Sequence, residues 1–164
     1  MITLAQTFLN QHHIPYKRYE YECTTDHDFA QFASHALQIP PERIFKTIIL
    51  VSGKKTYVSA ITPADGRISL KNAARILGLK SLELAERAEV MRVTGYVIGG
   101  VSPFGQKRRI QTLLCSTALR FEEILVSGGR RGFSVGVNPH DLARVLEAAT
   151  GDFLDPAHPV SPQL

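Results

Sequence analysis

The sequence predicts an α+β fold in which helices pack around a largely antiparallel sheet. Two observations on the order of segments support this class, and the length and composition indicate one domain. Helix-like and strand-like segments interleave, but several strand-like segments follow one another directly, as they do in hairpins. The chain therefore lacks the regular alternation of a doubly wound fold. Its 164 residues, 44% of them hydrophobic, suit one compact domain with a substantial core.

Five segments repeat apolar residues at the spacing of a helix face. In the third of them, Ser69 is a suitable N-cap and Gly78 follows the last apolar residue. In the fifth, Asn138 can cap the helix and Pro139 occupies its first position. Gly95 ends the fourth. Helices are predicted over residues 2–12, 26–40, 68–80, 85–95 and 138–150.

The remaining regular segments are predicted to be strands because they alternate or are rich in β-branched residues. The two runs "IFKTIILVS" and "KTYVSAIT" lie close enough together to form a hairpin. A short helical turn is expected at "TALRF". Strands are predicted over residues 16–22, 44–52, 55–62, 81–85, 96–100, 109–116, 122–129 and 131–137.

The last segment, "GDFLDPAHPVSPQL", holds three prolines and little charge. This composition predicts a flexible tail over residues 151–164, which leaves a single domain over residues 1–150. The chain lacks a signal-peptide pattern and an apolar run of the length that a membrane span needs. We therefore expect a reduced cytoplasmic protein that does not contact a membrane.

Composition gives weaker indications of chemistry. A net charge of +4 mildly favours a polyanionic partner. The six histidines are scattered without the spacing of metal ligands, so neither a metal nor another cofactor is expected. Cys115 lies inside an apolar strand, where a buried, inert thiol is expected, and Cys23 has no activating neighbour in sequence. No recognisable nucleophile motif occurs.

Two glycine-rich loops are candidate ligand sites. The first, "GGVSPFGQKRR" at residues 99–109, does not match a P-loop because Lys107 comes one place late, and it lacks the dinucleotide-binding fingerprint. It is either the wall of another pocket or a basic surface turn. The second, "SGGRRG" at residues 127–132, is either a pocket loop or a hairpin turn. We hypothesise that the two loops form the two lips of one cleft.

Lys46 is the most unusual residue, since it is a cation within the apolar strand "IFKTIILV". Such a lysine either extends its ammonium group into water or lines a cleft. In the second case, the ammonium is aimed from a rigid strand at a ligand phosphate or carbonyl oxygen.

Four blocks in order resemble the YbaK/EbsC family, the free-standing relatives of the editing domain of bacterial prolyl-tRNA synthetases. They are "FKTIILV", "TGYVIGGVSPFGQKRR", "STALRFEEILVSGGRRG" and "PHDLARVL", and the resemblance extends over residues 2–150. It implies a barrel-like central sheet and hydrolysis of mischarged Cys-tRNA(Pro). Proofreading of this kind is needed because a pocket discriminates small side chains by only about 10- to 200-fold. Cys115 stands where many alanine-specific relatives have an acidic residue, which favours the cysteine-specific branch.

The resemblance also implies a mechanism and a set of site residues. Lys46 is the essential residue, no metal or cofactor is used, and the substrate's own thiol attacks its ester. Implied substrate-binding residues are Tyr21, Phe29, Thr47, Gly100, Val101, Ser102, Pro103, Ser127, Gly128 and Gly129. Lys107, Arg108 and Arg109 are either contacts of the acceptor stem or a solvated turn.

The implied partners are mischarged tRNA(Pro) and prolyl-tRNA synthetase, with no role for DNA or a membrane. Two alternatives stay open at this point. One is a deacylase of Ala-tRNA(Pro) or of broader specificity. The other is a non-catalytic module that binds a tRNA end or a small ligand and docks on a synthetase.

Overall fold

The computed structural model describes residues 2–157 and confirms the predicted α+β class. Within this range the helices are α1 Leu4–Gln11, α2 Phe29–Leu37, α3 Leu70–Leu77, α4 Arg87–Thr94 and α5 Pro139–Val145. The strands are β1 Lys17–Glu20, β2 Phe45–Val51, β3 Tyr57–Pro63, β4 Glu83–Leu84, β5 Gln111–Cys115, β6 Ile124–Arg130, β7 Phe133–Val137 and β8 Ala149–Gly151. Short 3₁₀ turns occupy Pro41–Arg43 and Ser116–Arg120, the second of them where a helical turn is predicted.

The strands form two sheets, whereas the sequence predicts one central sheet. Among residues 2–157, four of the six strand pairs are antiparallel, so the predicted largely antiparallel pairing is confirmed. One sheet has the order β1-β7-β6 and is antiparallel. The other has the order β4-β2-β3-β5-β8, in which the β3–β5 and β5–β8 pairs are parallel. Parallel neighbours need a long crossover connection, which α3, β4 and α4 supply between β3 and β5 and which β6, β7 and α5 supply between β5 and β8. A parallel bridge between Ile44 and Leu125 links the two sheets at the start of β2.

Local signals at the helix ends are confirmed. The Ser69 hydroxyl accepts a hydrogen bond from the Asn72 N–H at 3.2 Å, and Gly78 ends α3 with a φ of 68°. The Asn138 side chain accepts from the His140 N–H at 2.8 Å. These bonds satisfy backbone groups that a helix end leaves without partners.

The strand predicted over residues 96–100 is absent, and the chain turns there instead. Gly95 ends α4, and the Gly100 N–H donates to the Val97 carbonyl at 2.9 Å, which closes a turn. Tyr96 is buried, and its hydroxyl donates to the Phe104 carbonyl. The segment is apolar because the Tyr96 side chain packs into the core, and not because the segment belongs to a sheet.

The prediction of a flexible tail from residue 151 needs correction. Gly151 ends β8, which pairs with β5, and Phe153 is fully buried. Leu154 forms an antiparallel bridge with Ile68, and the Ser69 N–H donates to the Phe153 carbonyl at 2.7 Å. The domain thus extends beyond residue 150, because burial of one aromatic side chain outweighs the local effect of nearby prolines. Residues 158–164 of the predicted tail lie outside the described residues.

The main core lies between the sheets and the helices. Its largest fully buried side chains come from strands of both sheets, from the loop after α4 and from the segment after β8, and they include Phe45, Phe104, Leu113, Phe133 and Phe153. Each such side chain contributes about 1.5–3 kcal/mol when it is buried. No helix within residues 2–157 combines the length and the hydropathy required to cross a membrane.

Candidate functional site

A cleft of about 400 Å³ opens between α2, the start of β2 and the turn that follows α4. Most of its lining side chains are apolar. Six of the residues singled out from the sequence line it: Tyr21, Phe29, Lys46, Thr47, Val101 and Ser127. These residues come from separate parts of the chain, and the fold brings them together.

Lys46 lines this cleft from β2, where it is paired across the sheet with Thr62. Burial lowers the pKa of Lys46 below its ordinary value. The negative charges of Asp28 and Asp65 oppose this effect, and the positive charge of Arg67 adds to it. The ammonium makes no hydrogen bond or ion pair with any residue in the described range 2–157. Lys46 is therefore a partly desolvated cation whose donors are available to a ligand.

Thr47 follows Lys46 and also lines the cleft. Its Oγ1 is buried and has no hydrogen-bond partner within the described part of the chain. A buried hydroxyl without a partner is costly in a folded protein, so Thr47 is a candidate for a polar contact that the protein itself does not supply.

Two aromatic side chains stand at the cleft. Burial raises the pKa of Tyr21, and a hydrogen bond with Ser134 partly opposes this. The Tyr21 N–H donates to the Gly132 carbonyl at 3.0 Å, which ties the segment after β1 to the hairpin between β6 and β7. Phe29 is the first residue of α2, and the Arg131 guanidinium lies 4.7 Å from the centre of its ring.

The two glycine loops meet, as hypothesised from the sequence. A Cβ atom on Gly100 would lie 2.8 Å from the Cα of Arg130, so this close approach requires glycine. A Cβ atom on Gly99 would lie 2.7 Å from the Phe29 ring. In addition, Arg131 Nε donates to the Ile98 carbonyl at 2.9 Å and so connects the two loops directly.

Five predicted substrate-binding residues lie outside the lining of this cleft: Gly100, Ser102, Pro103, Gly128 and Gly129. Ser102 is fully buried, and its Oγ accepts from the Phe104 N–H at 3.2 Å. The Gly128 carbonyl accepts a hydrogen bond from Thr3 Oγ1 at 2.5 Å. The Gly129 N–H donates to Ser127 Oγ at 3.1 Å.

A smaller cleft of about 140 Å³ lies beside the second half of the first loop, where Pro103, Gln106, Arg108 and Arg109 line it. Arg109 forms an ion pair with Glu147 at 3.1 Å. The Arg108 guanidinium lies 5.4 Å from the centre of the Tyr57 ring. These arginines therefore do not line the cleft that contains Lys46.

Neither cysteine lines the larger cleft. Cys115 is fully buried, as predicted, and burial raises the pKa of its thiol. Cys23 is partly buried. Within residues 2–157, no group of three or more histidine, cysteine, aspartate or glutamate side chains is arranged to hold a metal ion.

Sequence reasoning missed several lining residues, among them Asp28, Ile98, Gly99 and Ser134. Gly99 had a signal, since it is the first of an adjacent glycine pair. The others are ordinary residues in their local sequence, and only the return of distant segments to one place brings them to the cleft.

Comparison with known proteins identifies the family of the chain. Residues 26–145 match the model of the aminoacyl-tRNA editing domain. The chain is 34% identical over 153 residues to "Putative Cys-tRNA(Pro)/Cys-tRNA(Cys) deacylase EbsC" of Enterococcus faecalis, covering 93% of this chain and 92% of that protein. It is 31% identical over 104 residues to "Multifunctional Ser/Thr-tRNA deacylase ProXp-y" of Escherichia coli, covering 62% of each. The crystal structure of "a putative trans-editing enzyme for prolyl tRNA synthetase" superposes with a TM-score of 0.81 at 25% identity, covering 93% of this chain and 95% of that one.

The fold and these matches define an aminoacyl-tRNA deacylase as the class of protein. The chain belongs to the aminoacyl-tRNA editing domain family, as the sequence resemblance predicts. Its substrate is accordingly an aminoacyl-tRNA, and its reaction is hydrolysis of the ester that joins the amino acid to the tRNA.

Proposed function

We propose that this protein acts in the cytoplasm and hydrolyses mischarged Cys-tRNA(Pro), with the cysteine thiol of the substrate as the nucleophile. The observation that carries the proposal is Lys46, a partly desolvated cation in a mainly apolar cleft. The described lining of that cleft contains no cysteine or histidine. This lining supports a mechanism in which the substrate supplies the nucleophile and the protein supplies orientation and electrostatic stabilisation.

In the proposed reaction, the cysteine sulfur forms a bond to the ester carbonyl carbon as the bond from that carbon to the ribose oxygen breaks. The proton of the thiol passes to the departing ribose oxygen. The products are the free tRNA end and a cyclic thiolactone, which water then opens. Intramolecular attack lowers a barrier by about 7–11 kcal/mol when the geometry is held, so positioning is the main task of the protein.

The developing negative charge on the carbonyl oxygen needs donors, and the turn after α4 offers candidates. The Gly100 N–H is already bonded to the Val97 carbonyl. In contrast, the N–H groups of Gly99 and Val101 donate to no acceptor within residues 2–157, and both residues line the cleft. We assign these two N–H groups to the oxyanion, and one such donor is worth about 10²- to 10³-fold in rate.

The other cleft residues receive binding roles. Lys46 holds the ribose of the terminal adenosine. The orphaned hydroxyl of Thr47 is a polar partner for the aminoacyl group. Tyr21 and Phe29 form aromatic walls, and Ser127 closes the lining at the second loop. Prolyl-tRNA synthetase is the proposed partner that selects tRNA(Pro).

The deciding experiment offers the purified protein cysteinyl, alanyl, seryl and prolyl esters of the same tRNA(Pro). We expect the cysteinyl ester to be hydrolysed fastest and the seryl ester far more slowly, because a hydroxyl is a weaker nucleophile than a thiol at neutral pH. Hydrolysis of the alanyl ester alone would contradict the proposed specificity. Binding with steep salt dependence but no turnover would favour the non-catalytic module instead.

The variants Cys23→Ser and Cys115→Ser are controls for the source of the thiol. Both should retain most of the activity because neither side chain lines the cleft. Loss of turnover in either variant with an intact fold would indicate a protein nucleophile.

A broader deacylase is the second candidate function, and two observations favour it. Asp28 is a lining residue whose charge acts on Lys46, and its largely exposed carboxylate, 3.9 Å from His27 Nε2, is a candidate to activate water for substrates without a thiol. The chain is also similar to a protein named as a Ser/Thr-tRNA deacylase. Under this alternative, Asp28→Asn lowers hydrolysis of seryl and alanyl esters by at least tenfold and leaves the cysteinyl ester unaffected.

A further inference from the structure

We infer that Arg131 is an additional substrate-binding residue, which holds the phosphate attached to the terminal adenosine at the rim of the cleft. The inference rests on the proposed function, since it takes the ligand to be an aminoacylated nucleotide end. It adds a phosphate site to the pocket described above.

The position of Arg131 is set by two contacts with residues that line the cleft. Its guanidinium lies 4.7 Å from the centre of the Phe29 ring, and its Nε donates to the Ile98 carbonyl at 2.9 Å. Arg131 itself is exposed and is not part of the lining. The guanidinium therefore lies at the mouth, on the two walls formed by α2 and the turn after α4.

Only one of the three guanidinium nitrogens of Arg131, Nε, donates a hydrogen bond within the described part of the chain. Nη1 and Nη2 have no hydrogen-bond or ion-pair partner within residues 2–157. Two parallel N–H donors on a fixed plane match two oxygens of a phosphate. Because the stack on Phe29 and the bond to Ile98 already order the side chain, little further conformational entropy is lost when a phosphate binds.

The chemistry of the cleft explains why a phosphate would remain at its mouth. The walls are mainly apolar, so burying an ionised phosphodiester among them would carry a large desolvation cost. Lys46 is partly buried and thus serves atoms inside the cleft, whereas Arg131 is positioned for charge outside it. Asp26 lies within electrostatic reach of Arg131, but its carboxylate is bonded to Nδ1 of His27 at 2.9 Å.

Arg130 is a natural control because it is adjacent and also exposed. Its guanidinium stacks 4.8 Å from the centre of the Phe133 ring and lies 4.0 Å from the carboxylate of Glu20. The charge of Arg130 thus has an acidic partner at hand, whereas that of Arg131 has none at ion-pair distance among the described residues.

The test compares two small esters that differ only in the phosphate: 3′-aminoacyl-adenosine and its 5′-phosphorylated form. They carry whichever amino acid the wild type removes fastest from tRNA. We expect the wild type to prefer the phosphorylated ester by about 10- to 100-fold in kcat/KM, the range for hydrogen bonds to a charged group. Arg131→Ala and Arg131→Gln should abolish this preference, mainly by slowing hydrolysis of the phosphorylated ester, whereas Arg130→Ala should keep it.

Two results would overturn the inference. One is a wild type that hydrolyses the two small esters equally well or hydrolyses neither. The other is an equal loss on both esters in the Arg131 variants, which would mean that the side chain only shapes the wall. The proposed function fails separately, if the wild type hydrolyses no charged tRNA at all.

Discussion

The two clefts on either side of the first glycine loop differ in how their cations are used. In the smaller cleft, Arg109 is paired with Glu147 and Arg108 is stacked on Tyr57. In the larger cleft, Lys46 is partly desolvated and has no partner within residues 2–157. A cation that is solvated or already paired gains little from a ligand, whereas an unpaired, desolvated one gains much. We therefore expect the basic sequence "QKRR" to contribute less to function than the one lysine in an apolar strand.

The largest effect on activity is expected when the unpaired, desolvated cation of the larger cleft is removed by substituting Lys46. Lys46→Ala should lower kcat/KM for charged tRNA by about 10²- to 10³-fold, because it removes a preoriented charge from the site. The matched substitution Arg109→Ala, in the smaller cleft, should change kcat/KM less than threefold. Steady-state deacylation assays on both variants measure this contrast, and similar losses in the two would refute it.

The second-largest effect is expected from substituting one glycine in each half of the first glycine loop, Gly99 and Gly105. In Gly99→Ala, the new Cβ meets the ends of two side chains, Phe29 and Arg131, which must move and deform the cleft. In Gly105→Ala, it meets the Leu4 carbonyl oxygen at 2.5 Å, a backbone atom that does not yield easily. We expect Gly99→Ala to lose at least tenfold in kcat/KM. Gly105→Ala should instead lose about 1–3 kcal/mol of stability and keep its activity per folded molecule.

Chemical denaturation and active-site titration distinguish these two outcomes. The prediction is contradicted if Gly105→Ala inactivates the folded protein or if Gly99→Ala has wild-type kinetics.

A smaller effect is expected at Ser102, which the sequence resemblance implies to be a substrate contact. Its hydroxyl is buried and accepts from the Phe104 N–H. Ser102→Ala leaves that N–H without a partner and should lower the free energy of unfolding by about 1–2 kcal/mol. Its kcat/KM should stay within twofold of the wild type at a temperature where the variant is folded. A large kinetic loss without destabilisation would return Ser102 to the substrate contacts.

The smallest effect concerns the pH dependence of stability at Lys46. The folded state holds the pKa of Lys46 below its ordinary value of 10.5, so the unfolded chain binds more protons in the window between the two values. Stability contributed by this group therefore rises with pH through that window. Lys46→Met should be more stable than the wild type at pH 7, and the difference should shrink as pH rises towards 10. Urea unfolding of both proteins at several pH values tests this sign, and a constant difference would contradict it.

Local chemistry predicted much of the fold. Ser69, Gly78 and Gly95 mark helix ends by bonds and backbone angles that depend on a few neighbouring residues. Gly95 also shows the limit of such signals, because the segment after it is a turn although its residues favour a strand. The segment forms a turn instead of a strand because the Tyr96 side chain is buried and its hydroxyl donates to the Phe104 carbonyl in the core.

The site was predicted in the same uneven way. Lys46 was accessible to sequence reasoning because it stands out in an apolar strand, whereas Thr47 was implied only by the family resemblance. The resemblance implies Ser102 as a substrate contact; it is buried outside the lining of the cleft, and the Ser102→Ala variant tests which role it has. Arg131 carried no distinguishing mark beside Arg130, and only the contacts with Phe29 and Ile98 separate them.

Family membership, the fold class, the helix ends and the unusual position of Lys46 in an apolar strand were all accessible from the order of residues, because each depends on local pattern or on contiguous blocks. The pairing of strands into two sheets, the burial of Phe153 and the half of the loop that lines the larger cleft depended on the folded chain. These features arise where segments far apart in sequence exclude water from one another. That outcome depends on the shape and charge of both surfaces, and neither segment encodes it alone.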